Sequence, residues 1–559
     1  MEMFRIEDFS FTYPQAERAA VQHVGLEVRG GEFLLLCGRS GCGKTTLLRQ
    51  LKREIAPHGR REGRIEFCGT ALRDLTPRES AARIGFVSQN PDNQIVCDKV
   101  YHELAFGLES LGCPTEVIRR RVAEISSFLG ISQWFRRDVG QLSGGQKQML
   151  NLAAVMVMHP EALILDEPTS QLDPIAATEF IETLKKINAD LGMTILLSEH
   201  RLEEVFPVAD RVLVMEDGRI ACDCAPREVL NQLKSCGAAA DLEAGLPSAM
   251  RIFSGFGGEG QCPVTPKEGR TWLDSVIAPE AARQKKPAGA RRETDKRTPA
   301  LRLREVWFRY EKGLTDVLRG VYLSAYAGEI LCVLGGNGTG KSTTLGVCAG
   351  SLRPWRGTVE IGGRKIRDFK NDELYRGGVA LLPQSPQALF VHDTVGGDLA
   401  DAAADMEGGA ARVEQAAEML GIGGLLGAHP FDLSGGEQQK AAFAKLWLRR
   451  PKILLLDEPT KGLDAAFKAE FAQILRRLAR EGACIVMATH DIEFSAQFAD
   501  RCALFFDGSV ISEDRPAPFF AGNSYYTTSA NRIARHICPE AITCEDVIRL
   551  CQNCKKTDA

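Results

Sequence analysis

The sequence has no excess of charge of one sign. Its 559 residues include 69 Lys and Arg against 73 Asp and Glu, which gives a formal net charge of −4. A protein that binds nucleic acid through the phosphate backbone needs a basic surface, and this composition gives no sign of one. We therefore expect no nucleic-acid partner.

The sequence also lacks an apolar run long enough to cross a bilayer. The best candidate, residues 149–165, is interrupted by Asn151, His159, Pro160 and Glu161 and falls short of about 20 apolar residues. The N-terminus has no basic region followed by an apolar one, so we expect no signal peptide. Without such a signal, the 17 cysteines indicate a reducing cytosol rather than a disulfide framework. Any function at a membrane would then need a partner that spans it.

What the sequence does contain is one module that occurs twice. Four motifs recur in the same order, at offsets of 290 to 297 residues. They are GRSGCGKTT (38–46) and GGNGTGKST (335–343), LSGGQ (142–146) and LSGGE (433–437), LILDEPT (163–169) and LLLDEPT (454–460), and LLSEH (196–200) and VMATH (486–490). The chain is therefore a tandem duplication.

The same pattern predicts the fold class and the domain boundaries. In each copy, short apolar runs alternate with helical stretches, which predicts an α/β fold with a mostly parallel core sheet, an antiparallel strand region and a helical subdomain. We expect a first domain at 1–234, a second at 300–518 and a C-terminal extension at 519–559. Residues 235–299 are rich in Gly, Pro and charge, which predicts a flexible linker.

Both copies contain a complete G-x-x-x-x-G-K-[ST] phosphate-binding loop after an apolar strand. Glycines let successive backbone N–H groups face phosphate oxygens, and the following helix N-terminus favours an anion. We expect Lys44 and Lys341 to reach the phosphates of ATP, and Thr45 and Ser342 to bind Mg²⁺. The other predicted nucleotide contacts in these loops are Gly38, Ser40, Gly41, Gly43, Thr46, Gly335, Asn337, Gly338, Gly340 and Thr343. A glycine turn with a chance lysine is the alternative, which recurrence disfavours.

Two acidic pairs follow apolar strands in the DEPT segments. Asp166 and Asp457 end these strands, where a carboxylate lies beside the phosphate loop and can hold Mg²⁺. Glu167 and Glu458 follow immediately and can polarise an attacking water. The alternative is that these acids only solvate strand ends or cap helices, and the repetition of the DEP sequence disfavours it.

With LSGGQ between the phosphate loop and DEPT, the chain resembles ATP-binding cassette (ABC) ATPases, with two nucleotide-binding domains in one polypeptide. The resemblance implies an intramolecular head-to-tail pseudo-dimer, in which each ATP lies between one phosphate loop and the other copy's signature. It implies that one ATP, held by Lys341, meets Ser143, Gly145 and Gln146, and that the other, held by Lys44, meets Ser434, Gly436 and Glu437. Because both modules have the DEPT glutamate and the histidine, we expect two competent sites. We expect the anion that Glu437 introduces in place of a glutamine to make the two sites unequal.

The resemblance extends to further pairs of residues. It implies that an aromatic ring stacks on adenine, that a glutamine senses Mg²⁺ and the attacking water, that a histidine contacts the γ-phosphate, and that an aspartate communicates across the dimer. The matching residues are Tyr13 and Tyr310, Gln89 and Gln384, His200 and His490, and Asp173 and Asp464. A lone Tyr or His would ordinarily be structural, but recurrence at matching positions favours the functional interpretation.

The segment after Gln89, with QNPDNQ and ELAFGLE, closely resembles the ATPases of energy-coupling factor (ECF) transporters, which import vitamins and transition-metal ions. The tail at 519–550 is also similar to fused tandem members of that group. The resemblance implies a transmembrane coupling subunit and a small substrate-binding membrane subunit as partners, at the cytoplasmic face of the cell membrane. The apolar stripe Val100, Leu104, Leu108 and Leu111 could instead only pack the helical subdomain.

Two other functions stay open. A soluble tandem ABC ATPase acting on ribosomes usually carries a long charged helix between its modules, and residues 235–299 contain too much Gly and Pro for one. The ATPase of another ABC transporter class is the second alternative. The cysteines at 538, 544, 551 and 554 include only one C-x₂-C pair, so we expect packing rather than a zinc site.

Overall fold

A computed structural model of the chain describes residues 2–14, 16–236, 240–277 and 298–555. Its contacts divide the chain into two compact units. The first comprises Met1–Ser254, Gly258–Thr265 and Asp464–Ala466, and the second comprises Gly255–Gly257, Pro266–Leu463 and Phe467–Ala559.

The first unit contains two sheets, a four-stranded antiparallel sheet in the order β2-β1-β4-β5 and a six-stranded sheet in the order β10-β9-β3-β8-β7-β6. The strands are β1 Glu2–Thr12, β2 Val21–Arg29, β3 Phe33–Gly38, β4 Arg60–Phe67, β5 Thr70–Ala71, β6 Ile84–Val87, β7 Ala162–Asp166, β8 Thr194–Ser198, β9 Arg211–Glu216 and β10 Arg219–Cys224. The helices up to residue 256 are α1 Lys44–Gln50, α2 Pro77–Arg83, α3 Val100–Ser110, α4 Thr115–Phe128, α5 Gly144–Met156, α6 Pro174–Leu191, α7 Leu202–Val205, α8 Val229–Cys236, α9 Ala240–Ala244 and α10 Ser248–Phe256.

The six-stranded sheet is parallel except for its edge strand β10, which runs antiparallel to β9. Helices cover both faces of such a sheet, so its central strands are buried throughout and consist of continuous apolar residues. β3, β7 and β8 have this character, and every residue of β7 and β8 is buried. The carboxyl ends of these strands bring the phosphate loop, the DEPT segment and the histidine to one edge of the sheet.

The second unit repeats this arrangement, with sheets in the orders β12-β11-β14-β15 and β16-β17-β18-β13-β19-β20. Its strands are β11 Leu301–Phe308, β12 Leu318–Ala325, β13 Ile330–Leu334, β14 Arg356–Ile361, β15 Arg364–Lys365, β16 Val379–Leu382, β17 Ile453–Asp457, β18 Cys484–Thr489, β19 Arg501–Phe506 and β20 Ser509–Asp514. The helices from residue 266 onward are α11 Pro266–Val276, α12 Lys341–Cys348, α13 Val395–Ala403, α14 Gly409–Met419, α15 Gly435–Trp447, α16 Ala465–Arg480, α17 Ile492–Phe498, α18 Pro516–Gly522, α19 Ser529–Ala534 and α20 Cys544–Lys555. The α/β prediction is confirmed.

The predicted flexible linker at 235–299 was wrong for its first part. Residues 240–276 contain α9, α10 and α11, and residues 278–297 lie outside the described residues. α10 buries Met250, Ile252 and Phe253. The apolar residues of this segment occur at helical spacing between its glycines, and burying them stabilises the helices despite the Gly and Pro content.

The start of α10 repeats the start of α19 in the C-terminal extension. α10 begins with SAMRI at Ser248, and α19 begins with SANRI at Ser529. The first N–H of α10 donates to Glu203 Oε2 at 2.8 Å, and that of α19 donates to Glu493 Oε1 at 2.7 Å. Both acceptors lie three residues after the histidine of their own module. The duplication therefore extends beyond the two ATP-binding modules.

The apolar stripe on α3 packs inside the first unit. Val100, Leu104 and Leu108 are fully buried, so for these residues the packing interpretation holds. Cys544 and Cys551 in the C-terminal extension are also buried, whereas Cys538 is only partly so. Across the described ranges, no helix is both long and apolar enough to traverse a bilayer.

Candidate functional site

The first phosphate loop connects β3 to α1 and depends on glycine at three positions. Gly38, Gly41 and Gly43 have φ angles of 144°, 79° and 103°, in the region that favours glycine. A Cβ on Gly38 would lie 2.2 Å from the carbonyl oxygen of Met215. This conformation leaves Ser40 and Gly41 exposed at the tip of the loop.

The side chain of Lys44 folds back into the loop and binds its backbone carbonyls. This side chain is buried, and Nζ donates to the carbonyl oxygens of Gly38 at 2.9 Å and Arg39 at 3.0 Å. These bonds hold the ammonium group at the centre of the ring of backbone atoms, where phosphate oxygens can replace the carbonyls. The loop thus forms an anion-binding cradle with a cation in its centre.

The second phosphate loop repeats this geometry between β13 and α12. Lys341 Nζ donates to the carbonyl oxygens of Gly335 and Gly336, both at 2.8 Å. Gly338 and Gly340 have φ angles of 75° and 109°. Asn337 lies exposed at the tip, as Ser40 does in the first loop.

Each loop contacts the aspartate at the end of β7 or β17, which is separated from the strand before the loop by one intervening strand. Thr45 Oγ1 donates to Asp166 Oδ1 at 2.9 Å, and Ser342 Oγ donates to Asp457 Oδ1 at 3.1 Å. Burial raises the pKa of both aspartates, and the adjacent glutamates add to the effect. A hydroxyl and a carboxylate are the hard oxygen ligands that Mg²⁺ prefers, so these residues fit that ion, which would neutralise phosphate charge.

Glu167 lies at the centre of the first site. Its φ of 46° and the bond from its N–H to the Ser198 carbonyl at 3.0 Å turn it out of β7. Gln89 Nε2 donates to Glu167 Oε2 at 2.9 Å, and His200 Nε2 lies 2.9 Å from Oε1. Burial alone would raise the pKa of Glu167, but His200 and Lys44 favour the carboxylate and the pKa is lowered. The structure thus brings Gln89 and His200 together around the carboxylate of Glu167.

The second site has the same residue types with different contacts. His490 Nδ1 lies 2.7 Å from Glu458 Oε2, and the His490 backbone N–H donates to that same oxygen at 3.3 Å. Lys341 Nζ lies 3.9 Å from the other oxygen of Glu458. Burial would raise the pKa of Glu458, but His490 and Lys341 outweigh it, and the pKa is lowered. Gln384 is exposed and, within the described residues, makes no hydrogen bond to Glu458.

Each signature sequence starts a helix with a capping box. The Ser143 hydroxyl accepts the Gln146 N–H at 3.3 Å, and the Gln146 side chain accepts the Ser143 N–H at 3.0 Å. Glu437 serves Ser434 in the same way, accepting its N–H at 2.9 Å. The Glu437 carboxylate also accepts the Ser434 hydroxyl at 2.7 Å, which is a charge-assisted bond. The two helix starts therefore differ in one hydrogen bond, because the Ser434 hydroxyl donates to the side chain of Glu437 and the Ser143 hydroxyl, within the described residues, makes no such bond to Gln146.

The glycines behind these serines allow close packing. A Cβ on Gly145 would lie 3.2 Å from the Ala176 side chain, and one on Gly436 would lie 3.4 Å from the Leu463 side chain. Each signature helix can therefore pack closely against the segment that follows DEPT in its own unit.

The two predicted adenine-stacking tyrosines lie beside the phosphate loops. The Tyr13 hydroxyl is 3.1 Å from Thr46 Oγ1, and the Tyr310 hydroxyl is 3.0 Å from Thr343 Oγ1. Their side chains are 39% and 61% exposed, so a ring face is free to stack on a base. Stacking on adenine stays a prediction.

Sequence reasoning missed the buried polar groups around the histidines. Ser198 Oγ donates to Asp166 Oδ1 at 2.9 Å, and Glu199 accepts the Thr169 hydroxyl at 2.6 Å. Next to His490, Asp491 pairs with Lys468 at 2.6 Å. Burial alone would raise the pKa of Asp491, but Lys468 lowers it to about 2. The available signal was the position of these residues at the carboxyl ends of buried strands, where polar side chains gather.

Comparison with known proteins gives a consistent result. The family model described as ABC transporter matches residues 21–170 and 318–461. A protein of Bacillus thuringiensis subsp. konkukian, named as a proposed ABC transporter ATP-binding protein, is 42% identical over 550 residues and 98% of each chain. A protein of Streptomyces coelicolor with the same description is 37% identical over 558 residues, 96% of this chain and 98% of the other.

Among solved structures, cbiO1 from Clostridium perfringens, described as part of the ABC transporter complex cbiONQ, is 30% identical to this chain. It covers 42% of this chain and 92% of its own, with a TM-score of 0.39.

Proposed function

This chain belongs to the ABC transporter family and is an ATP hydrolase with two tandem ATP-binding modules, and from that premise we propose that it is the energy-coupling subunit of an ECF-type importer. The cargo would be a vitamin, a vitamin precursor or a transition-metal ion. The chain would lie at the cytoplasmic face of the membrane, beside a transmembrane coupling subunit and a small substrate-binding membrane subunit.

The proposed chemistry uses the contacts at each site. Lys44 and Lys341 would bind the phosphates, while Thr45 with Asp166 and Ser342 with Asp457 would hold Mg²⁺. Glu167 and Glu458 polarise the attacking water, and His200 and His490 orient these carboxylates and meet the γ-phosphate. Gln89, and Gln384 by analogy with it, would sense the metal and the water. The signature residues of each module complete the site of the other module, so that neither module closes a site alone.

The observation that carries the transport proposal is the ordered turn after Gln89. Gln94 accepts the Ser88 N–H at 2.9 Å and donates to the Phe86 carbonyl at 2.9 Å, which ties the turn to the end of β6. Asp92 pairs with Lys147 of α5 at 2.6 Å. A movement of the signature helix α5 would therefore be transmitted to this turn.

The chain that follows the turn presents apolar side chains to solvent. Glu103 is buried and accepts the N–H groups of Val96 at 3.0 Å and Cys97 at 2.7 Å. Val96 is held 67% exposed, and Tyr101 and Phe106 are 36% and 44% exposed. We call these three residues the coupling patch. Exposed apolar side chains on and before α3, next to a turn that a buried carboxylate fixes at Val96 and Cys97, suit contact with an apolar helix of a partner protein.

The second unit offers a different surface at the matching place. Val391 is 80% exposed, and its N–H donates to Asp398 at 3.0 Å, as Val96 does to Glu103. However, PQAL at 386–389 replaces PDNQ, and Phe431 is 58% exposed. We therefore propose that the two units bind the membrane subunit asymmetrically.

A pull-down from native membranes in mild detergent tests the proposal. The tagged wild-type chain, Val96→Asp and a control, Leu191→Asp, are compared by mass spectrometry. Leu191 is 56% exposed at the end of α6, so its substitution adds the same charge to another apolar surface position. We expect the wild type and the control to recover a coupling membrane subunit and small hydrophobic binding proteins, and Val96→Asp to lose them at least tenfold.

Two results would contradict the proposed function, and a third would contradict the role of the coupling patch. Recovery of ribosomal proteins would favour the soluble tandem ATPase, and recovery of a different permease pair would favour another transporter class. Equal recovery by all three chains would show that the coupling patch does not bind the partner. None of these results would change the assignment of the chain as an ATP hydrolase.

A further inference from the structure

Glu199, the residue before His200, is a buried carboxylate with no assigned role. It is 1% exposed at the end of β8. One oxygen accepts the N–H of Thr169 at 2.9 Å and its hydroxyl at 2.6 Å. The other accepts the backbone N–H of His200 at 3.1 Å. Glu199 therefore joins the DEPT segment, which carries Glu167, to the strand end that carries the histidine.

The second module shows what happens without this carboxylate. Thr489 occupies the position of Glu199, and its hydroxyl accepts the Asp491 N–H at 3.0 Å. The His490 backbone N–H then donates to Glu458 itself at 3.3 Å. In the first module that N–H goes to Glu199, so both oxygens of Glu167 are left for the Gln89 amide and the His200 ring.

From this contrast, we propose that Glu199 is a positioning residue that keeps Glu167 free of the histidine backbone and oriented towards Gln89 and His200. The inference rests on the proposed role of Glu167 in hydrolysis. It predicts that hydrolysis at the site containing Lys44 depends on Glu199. The site containing Lys341 has Thr489 at this position and no corresponding acid. The two sites then differ in the residues that support the catalytic glutamate as well as in the signature.

A carboxylate suits this position because the groups that hydrogen-bond to it among the described residues, the Thr169 N–H and hydroxyl and the His200 N–H, are all donors. Burial raises the pKa of Glu199, and the two donors of Thr169 oppose the rise. A glutamine of the same shape has one acceptor oxygen. If this oxygen kept the Thr169 bonds, its NH₂ group would face the His200 N–H, and two donors would meet. The His200 N–H would then turn to Glu167, as His490 does in the second module.

The experiment measures ATP hydrolysis by the purified full chain with Glu199→Gln and Glu199→Thr, the latter being the residue that the second module tolerates. Each is made in the wild-type and in the Glu458→Gln background. Glu161→Gln, which removes a half-exposed carboxyl paired with Arg83 in the same unit, is the control. The binding of a fluorescent ATP analogue and thermal unfolding are measured for every variant.

We expect both Glu199 variants to lower kcat at least fivefold, to change KM and the Kd of the analogue less than twofold, and to unfold at the wild-type temperature. If Glu458→Gln still hydrolyses ATP, that background reports the first site. If Glu458→Gln does not hydrolyse ATP, the two sites hydrolyse ATP only when both are intact. The decrease in kcat caused by the Glu199 variants is then measured in the wild-type background.

An unchanged kcat in the reporting background would overturn the inference. So would a loss of analogue binding together with a lower unfolding temperature in both Glu199 variants, because that would show a structural role only. A wrong assignment of Glu167 would give a different result from a wrong assignment of Glu199. In that case Glu167→Gln itself would hydrolyse ATP at the wild-type rate.

Discussion

Replacing Glu167 with glutamine separates binding from hydrolysis at the first site. The substitution keeps the shape of a side chain that Gln89 and His200 contact at 2.9 Å each, and it removes the negative charge. The glutamine oxygen can still accept the Gln89 amide. The phosphate loop is untouched, because Lys44 is held by backbone carbonyls. We therefore expect the variant to fold and to bind ATP.

The expected loss of rate follows from the role of the carboxylate. A positioned general base contributes about 10²- to 10⁴-fold, which is about 3 to 5 kcal/mol of barrier at 1.36 kcal/mol per tenfold. Removing an anion beside the phosphates also takes away a repulsion, so ATP should be retained at least as tightly as by the wild type. Glu458→Gln should do the same at the second site.

Phosphate release and retained radiolabelled ATP after rapid gel filtration are the two measurements. We expect phosphate release to fall at least a hundredfold at the altered site, with stoichiometric retention of unhydrolysed ATP. Glu161→Gln, on the surface of the same unit, should match the wild type in both. Wild-type turnover in Glu167→Gln, or loss of ATP retention together with turnover, would refute the assignment of Glu167 as the residue that polarises water.

Two further predictions concern the second unit. The pKa of Asp491, about 2 against its usual 3.8, means that the Lys468 ion pair stabilises the fold above about pH 4 and that this stability is lost as the pH falls towards 2. Lys468→Met should therefore cost roughly 2 kcal/mol at pH 7 in urea unfolding, and a cost that persists unchanged at pH 2 would contradict this. Glu437→Gln should keep the capping box, as Gln146 does, and change the unfolding free energy by less than about 1 kcal/mol. A larger loss would show that the charge on Glu437 is needed at the helix start.

The phosphate loops, the acidic pairs and the signature helices could be predicted from sequence because each works through neighbours in the chain. A lysine that follows a glycine loop closes onto carbonyls five and six residues earlier, and a signature serine caps the helix that it begins. Strands buried on both faces consist of continuous apolar residues, so the α/β class was also visible.

The prediction of a flexible linker was wrong for residues 240–276 because composition does not report burial. Glycine and proline there indicated a flexible chain, yet α10 and α11 form. SAMRI at Ser248 and SANRI at Ser529 were available in the sequence as a weak repeat. Their shared role became visible only once Glu203 and Glu493 were seen to accept the first N–H of each helix.

The sequence by itself determined the duplication, the fold class and the chemistry that each motif can perform, because these depend on residues close together in the chain. The tertiary structure alone decided which acid receives the histidine N–H in each module, that Gln89 reaches Glu167, and that Glu437 holds the Ser434 hydroxyl. The strength and direction of a polar contact depend on burial and on partners distant in sequence, and both arise only when the chain folds.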